Sequence, residues 1–96
     1  MRLLYIVTYD ICDDRRLRAV FRLMRGYGEH MQYSVFRCEL TDLERVELIT
    51  QLTDIINMSE DQVLFFPLGP AGGEREAGIC AVGRAYEAVD HEAVVI

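Results

Sequence analysis

The chain has 96 residues, 51% of them hydrophobic and 27% charged, with a formal net charge of −6. That length supports one domain with a single buried core, and the composition is that of a soluble globular protein, which excludes a disordered chain. No apolar run approaches a membrane span, the N-terminal stretch leads into acids instead of a signal cleavage site, and the widely spaced Cys12, Cys38 and Cys80 suit neither zinc nor a disulfide framework, which points to a reduced, cytoplasmic protein.

Leu3-Leu4-Tyr5-Ile6-Val7-Thr8-Tyr9 is rich in β-branched and aromatic residues and predicts a buried strand. Asp13 or Asp14 then caps a helix whose apolar positions Leu17, Val20, Phe21 and Met24 fall at i, i+3, i+4 and i+7. Asp10 therefore lies where the strand runs out toward the helix. A carboxylate there is either a polar strand end beside a helix cap or, held by rigid elements on both sides, a ligand for a hard cation such as Mg²⁺. The helix stops at Gly26-Tyr27-Gly28, where glycine can take the left-handed conformation. His30 to Leu40 is extended again, with Tyr33, Val35 and Arg37 facing one side and Ser34, Phe36 and Cys38 the other. The stretch is long for one strand, so a bend or bulge near Ser34, or two short strands, is expected.

Thr41-Asp42-Leu43-Glu44 is a capping box that starts a second helix, with an apolar stripe of Leu43, Val46, Ile49, Leu52, Ile55 and Ile56. After a polar turn from Asn57 to Asp61, Gln62 to Leu68 predicts a strand that Pro67 places at an edge or near its end. Residues 69–73 form a loop, Gly78 to Gly83 a short strand, and Ala93-Val94-Val95-Ile96 a terminal strand that docks on its own sheet or on another subunit.

This order gives an α/β (α+β) sandwich with the helices on one face of a mixed or antiparallel sheet. Right-handed crossovers make it a ferredoxin-like βαββαβ arrangement over residues 1–83, with 84–96 as an extension that carries an additional C-terminal strand. The other face of the sheet is open. Tyr5, Val7, Tyr33, Val35 and Phe65 are candidates for it, and an apolar open face implies a dimer. Charge is unevenly placed: residues 1–37 hold seven arginines against four acids, a net +3, and the remainder three arginines against twelve acids, a net −9. Arg15, Arg18, Arg22 and Arg25 share one face of the first helix, opposite Leu17, Phe21 and Met24. That face is either simply solvated or a stripe that tracks phosphates.

Tyr9-Asp10-Ile11-x-Asp13-Asp14, an arginine-rich helix, and then Gly26-Tyr27-Gly28-x-x-x-Gln32-Tyr33-Ser34-Val35-Phe36 together resemble the CRISPR-associated protein two family, the small partner in CRISPR adaptation. The resemblance is strongest through Glu39. It implies a ferredoxin-like homodimer in which Asp10 from each subunit flanks one Mg²⁺ site, a metal-dependent endonuclease acting on RNA or DNA. It also implies a scaffold that binds the CRISPR integrase, CRISPR-associated protein one, and prespacer duplex DNA during spacer acquisition. Asp10 is then the catalytic and metal-binding residue, and Tyr9, Arg16, Arg18, Ser34 and Phe36 are candidates for substrate binding. Tyr9 and Phe36 have core packing as their alternative, and Ser34 the satisfaction of a bent strand. His30 stands where many relatives carry arginine, and Ala19 where the first helix of relatives is often basic. An RNA-cleaving toxin of related fold and a non-catalytic ferredoxin-like regulatory module are the alternative functional classes.

Overall fold

The run of β-branched and aromatic residues forms β1 (Leu3–Asp10) in a computed structural model that describes residues 1–72 and 80–85. Asp13 caps α1 (Asp14–Arg25), its carboxylate accepting from the Arg16 amide at 3.0 Å and so satisfying one of the unpaired donors of the first turn. The long extended run divides into β2 (Gly28–Gln32) and β3 (Val35–Leu40). Between them the chain reverses at Tyr33, whose φ of 35° lies in the left-handed region. Thr41 and Glu44 close the capping box of α2 (Asp42–Ile55): the Glu44 amide donates to Thr41 Oγ1 at 3.1 Å and the Thr41 amide to Glu44 Oε1 at 2.9 Å. β4 (Gln62–Pro70) completes the sheet among the described residues.

The strand order is β2-β3-β1-β4 with every neighbouring pair antiparallel. Each helix connects two strands that flank a third, α1 carrying the chain from β1 to β2 around β3, and α2 from β3 to β4 around β1. This is the ferredoxin-like βαββαβ arrangement. Register decides which residues share a face. Tyr5 lies opposite Cys38, and Val7 lies opposite both Phe36 and Phe65. These side chains meet Val20, Phe21 and Met24 of α1 and Leu48 and Leu52 of α2 in the core.

Tyr5, Val7 and Phe65 are therefore on the helix side, not on the open face where the sequence placed them as candidates. The open face carries Ile6 opposite Phe66 and Arg37, and Thr8 opposite Leu64 and Val35. β1 is apolar on both sides, so alternation alone groups its residues without saying which group the helices cover. Tyr33 belongs to the turn, with its side chain exposed.

The apolar stripe expected on α2 also divides. Leu52 is buried and Ile55 and Ile56 pack against the core, joined by Leu48 from outside the expected stripe, whereas Leu43, Val46 and Ile49 are exposed. A step of three residues turns about 300°, about 60° short of a full turn, so a stripe spaced by threes winds round the helix and sets Leu43 about half a turn from the buried Leu52.

Gly26 continues the right-handed conformation with φ −77°, so the left-handed stop expected there does not occur. The need for glycine at position 28 is one of space, since a Cβ there would lie 2.5 Å from the Arg37 carbonyl oxygen and 2.5 Å from Cys38 Sγ. β4 extends through Gly69 and Pro70, which were expected in a loop; the Ala71 amide donates to the Arg2 carbonyl at 3.0 Å, and the register against β1 shifts between Leu4 and Tyr5. Of the short strand expected over 78–83, the described residues 80–83 are not in a strand. The terminal strand at 93–96 lies outside the described residues.

Candidate functional site

β1 is an inner strand, paired to β3 through Thr8 and to β4 through Asp10, which stands opposite Gln62. Asp10 is thus the last residue held by the ladder, and its side chain is exposed. Ile11 packs back against the core. The Cys12 amide then donates to Asp61 Oδ1 at 2.9 Å.

Asp61 collects more than that one bond. Its Oδ2 accepts from the Asn57 amide at 2.8 Å and from Arg16 Nε at 2.7 Å, and Arg16 Nη2 approaches Oδ1 at 3.2 Å. The Arg16 guanidinium, with help from the Cys12 and Asn57 amides, holds the Asp61 carboxyl well below the usual carboxylate range although burial opposes this. Arg16 also reaches Glu60 Oε1 at 3.1 Å. The Cys12 thiol, which donates to the Glu60 carbonyl, is pushed up by desolvation and by the nearby carboxylates of Asp61, Asp10 and Glu60. The substrate candidate Arg16 is therefore engaged within the protein. Asp61 and Glu60 carry no sequence signal for this role, because 45 residues separate Asp61 from its arginine.

Arg18 is exposed, as are Arg15 and Arg22, and among the described residues none of these three forms an ion pair. Arg25 instead lies over the Phe21 ring, 5.9 Å from its centroid. Of the basic stripe expected on α1, Arg15, Arg18 and Arg22 are on the surface and Arg25 is half-buried, while Arg16, outside that stripe, turns to Glu60 and Asp61.

Tyr9 and Phe36 stack with centroids 6.2 Å apart and planes inclined at 28°. Phe36 has no exposed surface, so its ring fills the core and is closed to a ligand in this structure. Tyr9 is buried with it. Burial pushes the phenol up to about 12, against a smaller opposing effect from its hydrogen bond with Ser34. The Tyr9 amide donates to the Ser34 carbonyl at 3.1 Å, so Ser34 ties the turn before β3 to the end of β1. His30 Nε2 lies 2.7 Å from the Tyr33 carbonyl; a carbonyl only accepts, so Nε2 carries the proton. The imidazole packs against Phe21 and Phe36 with centroids 5.0 and 5.1 Å away, which makes His30 a support for the turn.

Among the described residues, no group of three or more His, Cys, Asp and Glu side chains could hold a metal ion. At the end of β1 one chain offers the exposed Asp10 carboxylate, a hard oxygen donor that suits Mg²⁺ in kind. No helix among the described residues is long and apolar enough to cross a membrane.

The family model described as CRISPR associated protein Cas2 matches residues 1–75. A CRISPR-associated endoribonuclease Cas2 of Rhodospirillum rubrum is 38% identical over 92 residues, covering 96% of this chain and 89% of that protein. The corresponding Geobacter sulfurreducens protein is 35% identical over the full length of both. Among solved structures, Streptococcus pyogenes Cas2 at pH 6.5 superposes with a TM-score of 0.69 at 31% identity, over 83% of this chain and 99% of that one. Motifs, fold and similarity along most of its length agree, and the chain belongs to the Cas2 family of CRISPR-associated proteins.

Proposed function

We propose that this Cas2-family chain works as a homodimer in CRISPR adaptation and carries an endonuclease centre for RNA or DNA phosphodiesters, built from Asp10 of each copy around a divalent cation, Mg²⁺. The observation that carries this reading is the exposed Asp10 carboxylate at the end of an inner strand, anchored before it by pairing with β4 and after it by the Cys12–Asp61 bond. The described residues of a single chain supply too few ligands, so this donor set fits Mg²⁺ when symmetry adds the second carboxylate and water completes the shell. When bound, such a cation neutralises charge on the phosphodiester and lowers the pKa of a bound water.

The remaining roles belong to the chain itself. Arg15, Arg18 and Arg22, exposed along one side of α1, attract the phosphate backbone. Tyr9, Ser34 and Phe36 support the end of β1 from within. The open sheet face with Ile6, Leu64 and Phe66 is the surface through which two copies meet. The names of the Rhodospirillum and Geobacter relatives favour RNA among the substrates. The same dimer serves as the scaffold that binds the CRISPR integrase and the backbone of the prespacer duplex.

Highly purified Asp10→Asn protein tests the centre. Cleavage of RNA and of duplex DNA should fall by about a hundredfold or more, the scale on which loss of a group at a reacting centre acts, with the dimer mass unchanged in light scattering. Cleavage that persists in this variant removes the proposed metal site. Spacer acquisition by the variant, together with co-purification of the integrase, isolates the scaffold role from the chemistry.

A further inference from the structure

The side chain of Asp61 has no exposed surface and is ionised. All its partners lie within the protein: the amides of Cys12 and Asn57 and the fork of Arg16. A buried carboxylate is costly unless it is fully hydrogen-bonded. Breaking such a pair is damaging, yet well-packed apolar residues could supply equal stability. What a forked arginine–carboxylate contact adds is a fixed geometry.

The place of this contact is specific. Gln62, the residue after Asp61, pairs with Asp10 in the sheet, and Asp61 itself holds the amide two residues beyond Asp10. Asp10 is therefore gripped on both sides by consecutive residues of one segment. Arg16 joins that segment to the first turn of α1, where Asp13 already binds the Arg16 amide.

We propose that Asp61 and Arg16 are a positioning pair for Asp10, fixing the backbone from Asp10 to Cys12 so that the Asp10 carboxylate stands in one place at the end of β1. The inference rests on the reading of Asp10 as the reacting centre. It gives Arg16 a different role from Arg18: Arg16 acts through Asp61, and Arg18 is left to meet phosphate. Rigid placement of this kind matters because a displacement of about 1 Å at a reacting centre can lower a rate by about a hundredfold.

The test uses Arg16→Ala, Asp61→Asn and the double variant, with Arg18→Ala as the phosphate-contact comparison and Asp10→Asn as the reference. Single-turnover cleavage and affinity for a fluorescein-labelled RNA are measured on the dimer, and hydrogen exchange of the Cys12 amide is followed by nitrogen-15 NMR. Arg16→Ala and Asp61→Asn should each slow cleavage by about tenfold to a hundredfold with the RNA dissociation constant unchanged. The double variant should be no slower than the slower single one. Both single variants should lose protection at Cys12, whereas Arg18→Ala should weaken RNA binding and keep that protection.

A weaker RNA affinity in Arg16→Ala that Asp61→Asn does not share overturns the proposal, as does an additive loss in the double variant. Should Asp61→Asn fail to fold, Arg16→Lys decides: a lysine keeps the charge for a phosphate contact but not the fork, so cleavage slows with RNA affinity retained. Full cleavage in Arg16→Lys overturns the positioning role. Cleavage unchanged in Asp10→Asn removes the centre and this inference with it, whereas loss in Asp10→Asn without loss in the pair removes this inference alone.

Discussion

Phe36 and Arg16 illustrate how a residue type is assigned a role by its surroundings. Both are substrate candidates by resemblance, yet Phe36 is closed inside the core and the Arg16 side chain is paired with Asp61 and Glu60. The same residue scale governs the response to acid. Asp61 titrates below the ordinary carboxylate value in the folded chain because of Arg16, and Asp13 and Glu44 do so because of the amides they cap. A group whose folded-state pKa is depressed stabilises the fold above its unfolded pKa and loses that contribution as pH falls through the folded value. The melting temperature should therefore decline as pH drops below about 4, and Asp61→Asn should flatten the decline. A melting temperature level from about pH 5 to about pH 2 in the unaltered protein counts against this arrangement of carboxylates.

At the scale of elements, the caps and the break between β2 and β3 match the sequence expectation, as does the buried face of α1, whereas the left-handed stop at Gly26 and the buried faces of β1 and α2 do not. The Asp13 cap, the Thr41–Glu44 capping box and the interruption near Ser34 are all present, because each depends on residues within a few positions of one another. The buried side of α2 was misjudged, since the helix has apolar residues on two sides and periodicity ranks neither. Chemical denaturation separates them. Leu48→Ala, in the core, should cost about 2–5 kcal/mol, whereas Val46→Ala, on the outer side, should stay within about 0.5 kcal/mol. Equal costs at the two positions would mean that α2 is rotated about its axis relative to the packing described here.

For the molecule as a whole, the question is what the open sheet face does. Leu64 and Phe66 are 41% and 46% exposed and neighbour Thr8 and Ile6 across the sheet. Arg37, buried among them, is bridged to Glu29 and Glu39. An apolar surface with its central charge already compensated suits a copy of itself better than water. If two copies meet through this face as proposed, Phe66→Arg should yield monomer in analytical ultracentrifugation and lower cleavage in proportion, since the proposed centre takes one Asp10 carboxylate from each chain. A dimer untouched by this substitution would locate the interface elsewhere.

From residue order alone came the succession of strands and helices, their caps, the reversal before Val35 and the place of Asp10 at a strand end, all consequences of contacts between near neighbours in the chain. Tertiary structure alone decided which side of β1 and of α2 is buried, because both are apolar on two sides and the local pattern is degenerate. It also decided that Arg16 meets Asp61, a pairing across 45 residues that exists only because the sheet order sets β4 beside β1.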